Sequence, residues 1–179
     1  MNIVIIINLK RDVSMKFIKV SDLLNTDSFL IECIRIWIKS MVYNQNPIEV
    51  LKKLLNNYGI KETAISLDDF MGCIALSSVK KYDFRITNCQ FVGNSEKDIL
   101  MILYYFQNNN PPVAGHYISQ LIDQKFYKFG FESSKLISKD LLNAGLFLEN
   151  PLRHLEGNEV DNIINYDFKK KRLISKKYI

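Results

Sequence analysis

The stretch Arg85-Ile-Thr-Asn-Cys-Gln-Phe-Val-Gly-Asn-Ser-Glu-Lys-Asp-Ile-Leu-Met-Ile-Leu-Tyr-Tyr-Phe-Gln107 decides the fold. Gly93 closes a loop. Ser95 stands where a helix N-cap belongs, with Asp98 three residues on in the spacing of a capping box. Glu96 and Asp98 place negative charge against the positive end of the helix dipole. Ile99, Ile102, Leu103 and Phe106 then fall at i, i+3, i+4 and i+7, one helical face. Leu100, Met101, Tyr104 and Tyr105 widen that face until little is left for solvent. Asn108-Asn-Asn-Pro-Pro112 stops the helix, because proline cannot continue the hydrogen-bond ladder and disfavours α geometry in the residue before it. The pattern predicts a central, mostly buried helix over 96–107.

Upstream, Thr26 or Asp27 is positioned to cap a helix running to about Tyr43. Its apolar face holds Phe29, Leu30, Cys33, Ile34, Trp37 and Met41, with Glu32, Arg35 and Lys39 on the opposite side. Asn46-Pro47 reads as an N-cap followed by proline at the first helical position. The helix it opens, 47–58, buries Ile48, Leu51, Leu54 and Leu55, and Gly59 suits the left-handed turn that ends it. A third helix is expected over 62–79, with Ala64, Ile65, Phe70, Cys73, Ile74 and Leu76 inward. Gly72 lies within it, which weakens the helix unless another packs closely there.

Downstream of Pro112 a fifth helix is expected to about Phe129, through Tyr117, Ile118, Leu121, Ile122 and Phe126, with Gly130 as its stop. Ser133 or Ser134 would cap a sixth to Asn143, burying Leu136, Ile137, Leu141 and Leu142, and Gly145 is a C-terminal stop signal. Short connections of this kind favour an orthogonal or up-down bundle. The fold class is therefore all-α, with about six helices in a single bundle and a basic, flexible C-terminal tail. The expected organisation is an N-terminal extension over 1–19, a helical domain over 20–148 and a largely irregular basic tail over 149–179. The apolar run Asn2–Leu9 lacks a basic leader and a cleavage site, so it is not expected to be an export signal. A short strand is one reading of it. A start at Met15 is another, with residues 1–14 an extension.

Cys89-Gln-Phe-Val-Gly-Asn-Ser-Glu96, followed by its apolar helix, resembles a family of small, uncharacterised, mostly helical alphaproteobacterial proteins. In that family a Cys-rich turn precedes a hydrophobic residue, Gly, a small or acidic cap and Glu. The segment around Ile34-Arg-Ile-Trp-Ile38 is similar to the family's opening helix, and the resemblance spans about residues 28–125. It implies a helical fold, with Cys89, Gly93, Ser95 and Glu96 as the shared motif. Phe91 stands where many members carry a second cysteine, which argues against a metal or disulfide role for the loop.

A chain of 179 residues that is 47% apolar can bury a sizeable core. Its abundance of Lys, Asn, Ile and Tyr reads as codon bias, so lysine number alone says little about ligands. The net charge of +5 is unevenly placed. Lys169, Lys170, Lys171, Arg172, Lys176 and Lys177 form a run without an acid, whereas residues 20–168 hold 14 basic and 18 acidic side chains. The three cysteines are odd in number and widely spaced, which is no disulfide framework and fits a reducing cytoplasm. Cys33 and Cys73 read as small buried hydrophobes. No apolar run is long enough for a membrane span.

Motifs with chemistry are sparse. Cys89, His116 and His154 have no spacing for structural zinc. Cys89 with His116 as base would make a nucleophile only if the fold joined them. Asp68 and Asp69 are adjacent on a helix and do not share a face, so a solvated surface is the expectation. Phosphate-binding glycine loops and the common hydrolase motifs are missing. The Trp37 stripe with Ile34, Ile38 and Met41 reads as core in preference to a docking face. The sequence therefore calls for no cofactor and leans away from an enzyme. It points to a cytoplasmic interaction or regulatory protein whose partner is another protein. The alternative is a nucleic-acid-associated protein that binds a polyanion weakly through the basic tail. A helix-turn-helix-like segment at 113–147 would assist, with its turn at Phe129-Gly130 and with Lys135 and Lys139 on the second helix.

Overall fold

The computed structural model describes residues 18–77 and 81–154. The proposed strand at 2–9, the start at Met15 and the basic run at 169–177 lie outside them. Among the described residues the chain is all-α: α1 (Asn25–Val42), α2 (Pro47–Leu55), α3 (Thr63–Leu76), α4 (Asn94–Gln107), α5 (Pro111–Leu121) and α6 (Gln124–Asn143). Short 3-10 turns at Val20–Asp22, Asn56–Tyr58 and Pro151–His154 complete it.

The central helix is α4. Ile99, Leu100, Met101, Ile102 and Leu103 are all essentially inaccessible, so its whole middle is enclosed by α1, α5 and α6. Ser138 Oγ donates to the Leu103 carbonyl at 2.9 Å, and Phe106 meets Phe131 edge to face, which ties α4 to α6. On its other flank α6 packs along α3. Thr63 Oγ1 donates to Asp140 Oδ2 at 2.8 Å and Cys73 lies against Gly130, so the two helices run antiparallel. Burial of this contiguous apolar set is the main stabilising term.

Four helical segments end in the same way. Asn44, Gly59, Asn109 and Gly145 have positive φ, and each is followed by paired 5→2 and 6→1 backbone bonds that close a Schellman turn. At α4 these are Asn109 N–H to Phe106 and Asn110 N–H to Tyr105. The prolines at 111 and 112 start α5 and follow a stop already made by Asn109. Asn46 caps α2 as its order predicts, accepting from Ile48 N–H at 3.0 Å.

Several expectations need correction. Helix α4 starts at Asn94 with Gly93 as N-cap, and Glu96, not Asp98, reaches back to the N-cap N–H. Helix α1 begins at Asn25, ahead of Thr26 and Asp27, and Asp27 is buried within its first turn. The fifth helix does not continue to Phe129. The chain breaks at Ile122 and Asp123, with Ile122 in extended geometry, and α6 runs unbroken through Gly130, Ser133 and Ser134. Tertiary partners take the groups freed by the break. Tyr82 O–H donates to the Leu121 carbonyl at 2.8 Å, and Ser77 Oγ accepts from Asp123 N–H at 2.9 Å. Gly130 gives the Ile122 side chain room to tuck against α6, where a Cβ would collide with it. Ser133, Ser134 and Ser138 are buried small residues that let α6 approach its neighbours. Ile65, Leu76, Leu136 and Leu142, expected inside, are exposed, and Arg35, expected outside, is buried. Among the described residues nothing lies within 4 Å of a Cβ placed on Gly72, so the close helix packing expected there is not seen.

Candidate functional site

Among the described residues between α3 and α4, 81–93 form no helix; Asn88 and the β-branched Ile86, Thr87 and Val92 disfavour one. Its backbone groups still require partners. Two charged side chains supply them. Arg35, in the middle of α1, is 4% exposed, and Glu96, in the first turn of α4, is fully buried. Arg35 Nε donates to Glu96 Oε1 at 2.8 Å and Nη2 donates to Oε2 at 2.9 Å, a two-point guanidinium–carboxylate bond. Arg35 Nη1 and Nη2 also donate to the carbonyls of Cys89 (2.7 Å) and Phe91 (2.8 Å). Glu96 accepts two further bonds, from Arg85 N–H at 3.0 Å and Gly93 N–H at 2.8 Å. Each carboxylate oxygen thus carries two hydrogen bonds.

Other groups close the loop around this pair. Ser95 Oγ accepts from Asp83 N–H and Asp83 Oδ2 accepts from Asn94 N–H, both at 2.9 Å. Gly93 lies so close to the Asp83 carbonyl that a Cβ would overlap it. Beyond the loop, Ile18 and Val20 pair antiparallel with Gln90 and Val92 around a Lys19–Phe91 bridge. The tip is a turn closed by Cys89 N–H to the Ile86 carbonyl at 2.9 Å. Ile86 is 64% exposed there, with Thr87, Asn88 and Gln90 also in solvent.

Cys89, Gly93, Ser95 and Glu96 therefore meet in one hydrogen-bond node. The family resemblance names those four, and Arg35, Asp83 and Arg85 join them through the fold. A usable signal existed for Arg35. The chain has five arginines among its 24 basic residues, and Arg35 sits inside the apolar run Ile34–Ile38. A planar fork of donors, unlike an ammonium, can serve a carboxylate and two carbonyls at once.

The other candidate residues are scattered. Cys89 contributes its carbonyl to Arg35, while exposed His116 pairs with Gln120 on α5 at 2.8 Å, and among the described residues no hydrogen bond joins Cys89 to His116. Among the described residues no three His, Cys, Asp or Glu side chains gather as for a metal ion. Asp68 accepts from Trp37 Nε1 at 2.6 Å, so it is a core partner and not a freely solvated surface group. Desolvation and the neighbouring Asp68 charge raise the Asp69 pKa. Trp37 and Ile34 are buried, with Ile38 and Met41 packed against the core. Cys33 and Cys73 are buried free thiols. Desolvation, with Glu32 adding to it, pushes Cys33 up to about 12.

No family model, curated protein or solved structure matches the chain. No described helix is long and apolar enough to cross a membrane. The turn expected at Phe129-Gly130 lies in mid-helix, so α5 and α6, joined by two residues, replace the expected helix-turn-helix boundaries. Lys135 and Lys139 are exposed on α6, and Lys125 and Lys128 join them on the same helix.

Proposed function

We propose that the protein is a non-enzymatic interaction or regulatory module that offers the Arg85–Phe91 loop to a protein partner. One observation carries this reading. A buried ion pair, every nitrogen and oxygen of which is hydrogen-bonded, holds an irregular segment whose tip exposes Ile86. A buried pair of charges is weak as a source of stability, since apolar residues of similar volume often do as well. It does fix a unique backbone path. Rigidly held loops on helical scaffolds are favoured recognition elements, because little ordering entropy is lost on binding. The motif that resembles the alphaproteobacterial family is the same node, so the proposal assigns that motif to loop presentation.

The test is affinity capture with the full chain, with and without nuclease, comparing native protein with Ile86→Asp. The exposed position predicts unchanged thermal stability and loss of the nuclease-resistant partner. Retention of every such partner by a folded Ile86→Asp protein would overturn the loop reading.

A further inference from the structure

The outer face of α6 is the most strongly charged helical surface among the described residues. Lys125, Lys128, Lys135 and Lys139 fall within an arc of roughly 80° on the helix, and all four are exposed. They extend along about 21 Å of its axis. None is ion-paired among the described residues, although Glu132 lies on the same face. Helix α5, which precedes it, carries no charged residue, and Asp140 is engaged by Thr63. The described residues as a whole hold 14 basic and 14 acidic side chains, so the lysine row is a local feature and not a reflection of net charge. Beside the row, one turn beyond Lys125 and next to Lys128, the Phe129 ring is 56% exposed.

We propose that this face binds single-stranded nucleic acid, independently of the loop described above. Although the Lys125 ammonium also lies over the Phe126 ring at 4.7 Å, a row of ammonium groups without carboxylate partners matches a repeating phosphate chain and gains by counterion release. The absence of arginine from the row removes the forked contacts that read guanine in a duplex groove. An exposed aromatic ring among lysines is the arrangement that stacks an unpaired base, which duplex DNA would not present. Helix α6 thus offers phosphate contacts and one stacking platform without sequence readout.

The experiment is fluorescence anisotropy of the full chain with short labelled oligothymidylate, oligouridylate and duplex DNA across a salt series. Either single strand should bind more tightly than duplex, and their ranking tells DNA from RNA. Four phosphate contacts predict a contribution of about −3 to the log–log salt slope. The Lys125→Gln/Lys128→Gln/Lys135→Gln/Lys139→Gln variant should lose that contribution and bind at least roughly tenfold more weakly. Phe129→Ala should weaken single-strand binding about fivefold or more and leave the salt slope unchanged. All five side chains are solvent-facing, and circular dichroism and a melt confirm that the variants are folded. Deleting 169–179 should leave the lysine-dependent component in place. Three results would overturn the proposal: native affinity in the four-lysine variant, preference for duplex with no effect of Phe129→Ala, or lysine-dependent binding to anionic vesicles in place of oligonucleotides.

Discussion

Arg35 and Glu96, 61 positions apart, are joined by two hydrogen bonds of 2.8 and 2.9 Å in a site closed to solvent. Because both charges are desolvated, each is tolerable only in the presence of the other. Glu96→Ala is expected to destabilise the fold by about 3–5 kcal/mol. Arg35→Met should do likewise, because it strands the carboxylate. The double variant should be less destabilised than the two single effects added together. Urea denaturation of all four proteins measures the coupling. Additive losses would mean that the two side chains act separately.

Gly93 is required by proximity and not by φ, which is −77° and open to any residue. A methyl group there must displace the Asp83 backbone, and with it the Ser95 and Asn94 bonds. Gly93→Ala is predicted to destabilise by at least about 2–3 kcal/mol. Hydrogen exchange at the Asp83 and Arg85 amides should quicken before that of the α4 core. Native stability in Gly93→Ala would disprove the close approach.

Gly72 is the opposite case. It has helical backbone, and among the described residues nothing stands within reach of an added Cβ. Gly72→Ala should therefore stabilise by about 0.5–1 kcal/mol, through helix propensity and a less flexible unfolded chain. A thermal melt at one pH decides it. A loss of stability would show that a partner occupies the space.

Alkaline titration probes the core. Burial pushes Cys33 from 9.0 up to about 12, so above pH 9 the unfolded chain releases a proton that the folded protein retains. The unfolded state then binds fewer protons, and stability must fall as pH rises from 9 towards 12. The slope from this thiol approaches about 1.4 kcal/mol per pH unit. Tyr117, raised by desolvation and then by Tyr105 and Asp98, adds a drop in the same direction from pH 10 upwards. Under reducing conditions Cys33→Ala should flatten the fall that begins near pH 9, and Tyr117→Phe the part above pH 10. An unchanged profile in both would refute the assignment.

Helix existence was legible in the chain, and some boundaries were not. Asn46-Pro47, Gly59 and Gly145 act locally, so their roles can be read from a few neighbours. Asn44 and Asn109 make the same left-handed stop without glycine, and at Asn109 it precedes prolines that would break a helix by themselves. The break at Ile122-Asp123 had no local mark. It depends on Ser77 and Tyr82, which are 46 and 39 positions from their partners.

The sequence by itself determined six amphipathic segments, a buried α4 and the residue types of the loop that precedes it. Those properties follow from spacing and from backbone preferences within about a turn of helix. Tertiary structure alone decided that Arg35 faces inward to Glu96, that Gly130 is a packing contact and not a stop, and that four lysines share the outer face of α6. Each of these depends on a neighbour distant in sequence or on a helix boundary set by one. The free energy of placing a charge, a glycine or a lysine is determined by what surrounds it after packing.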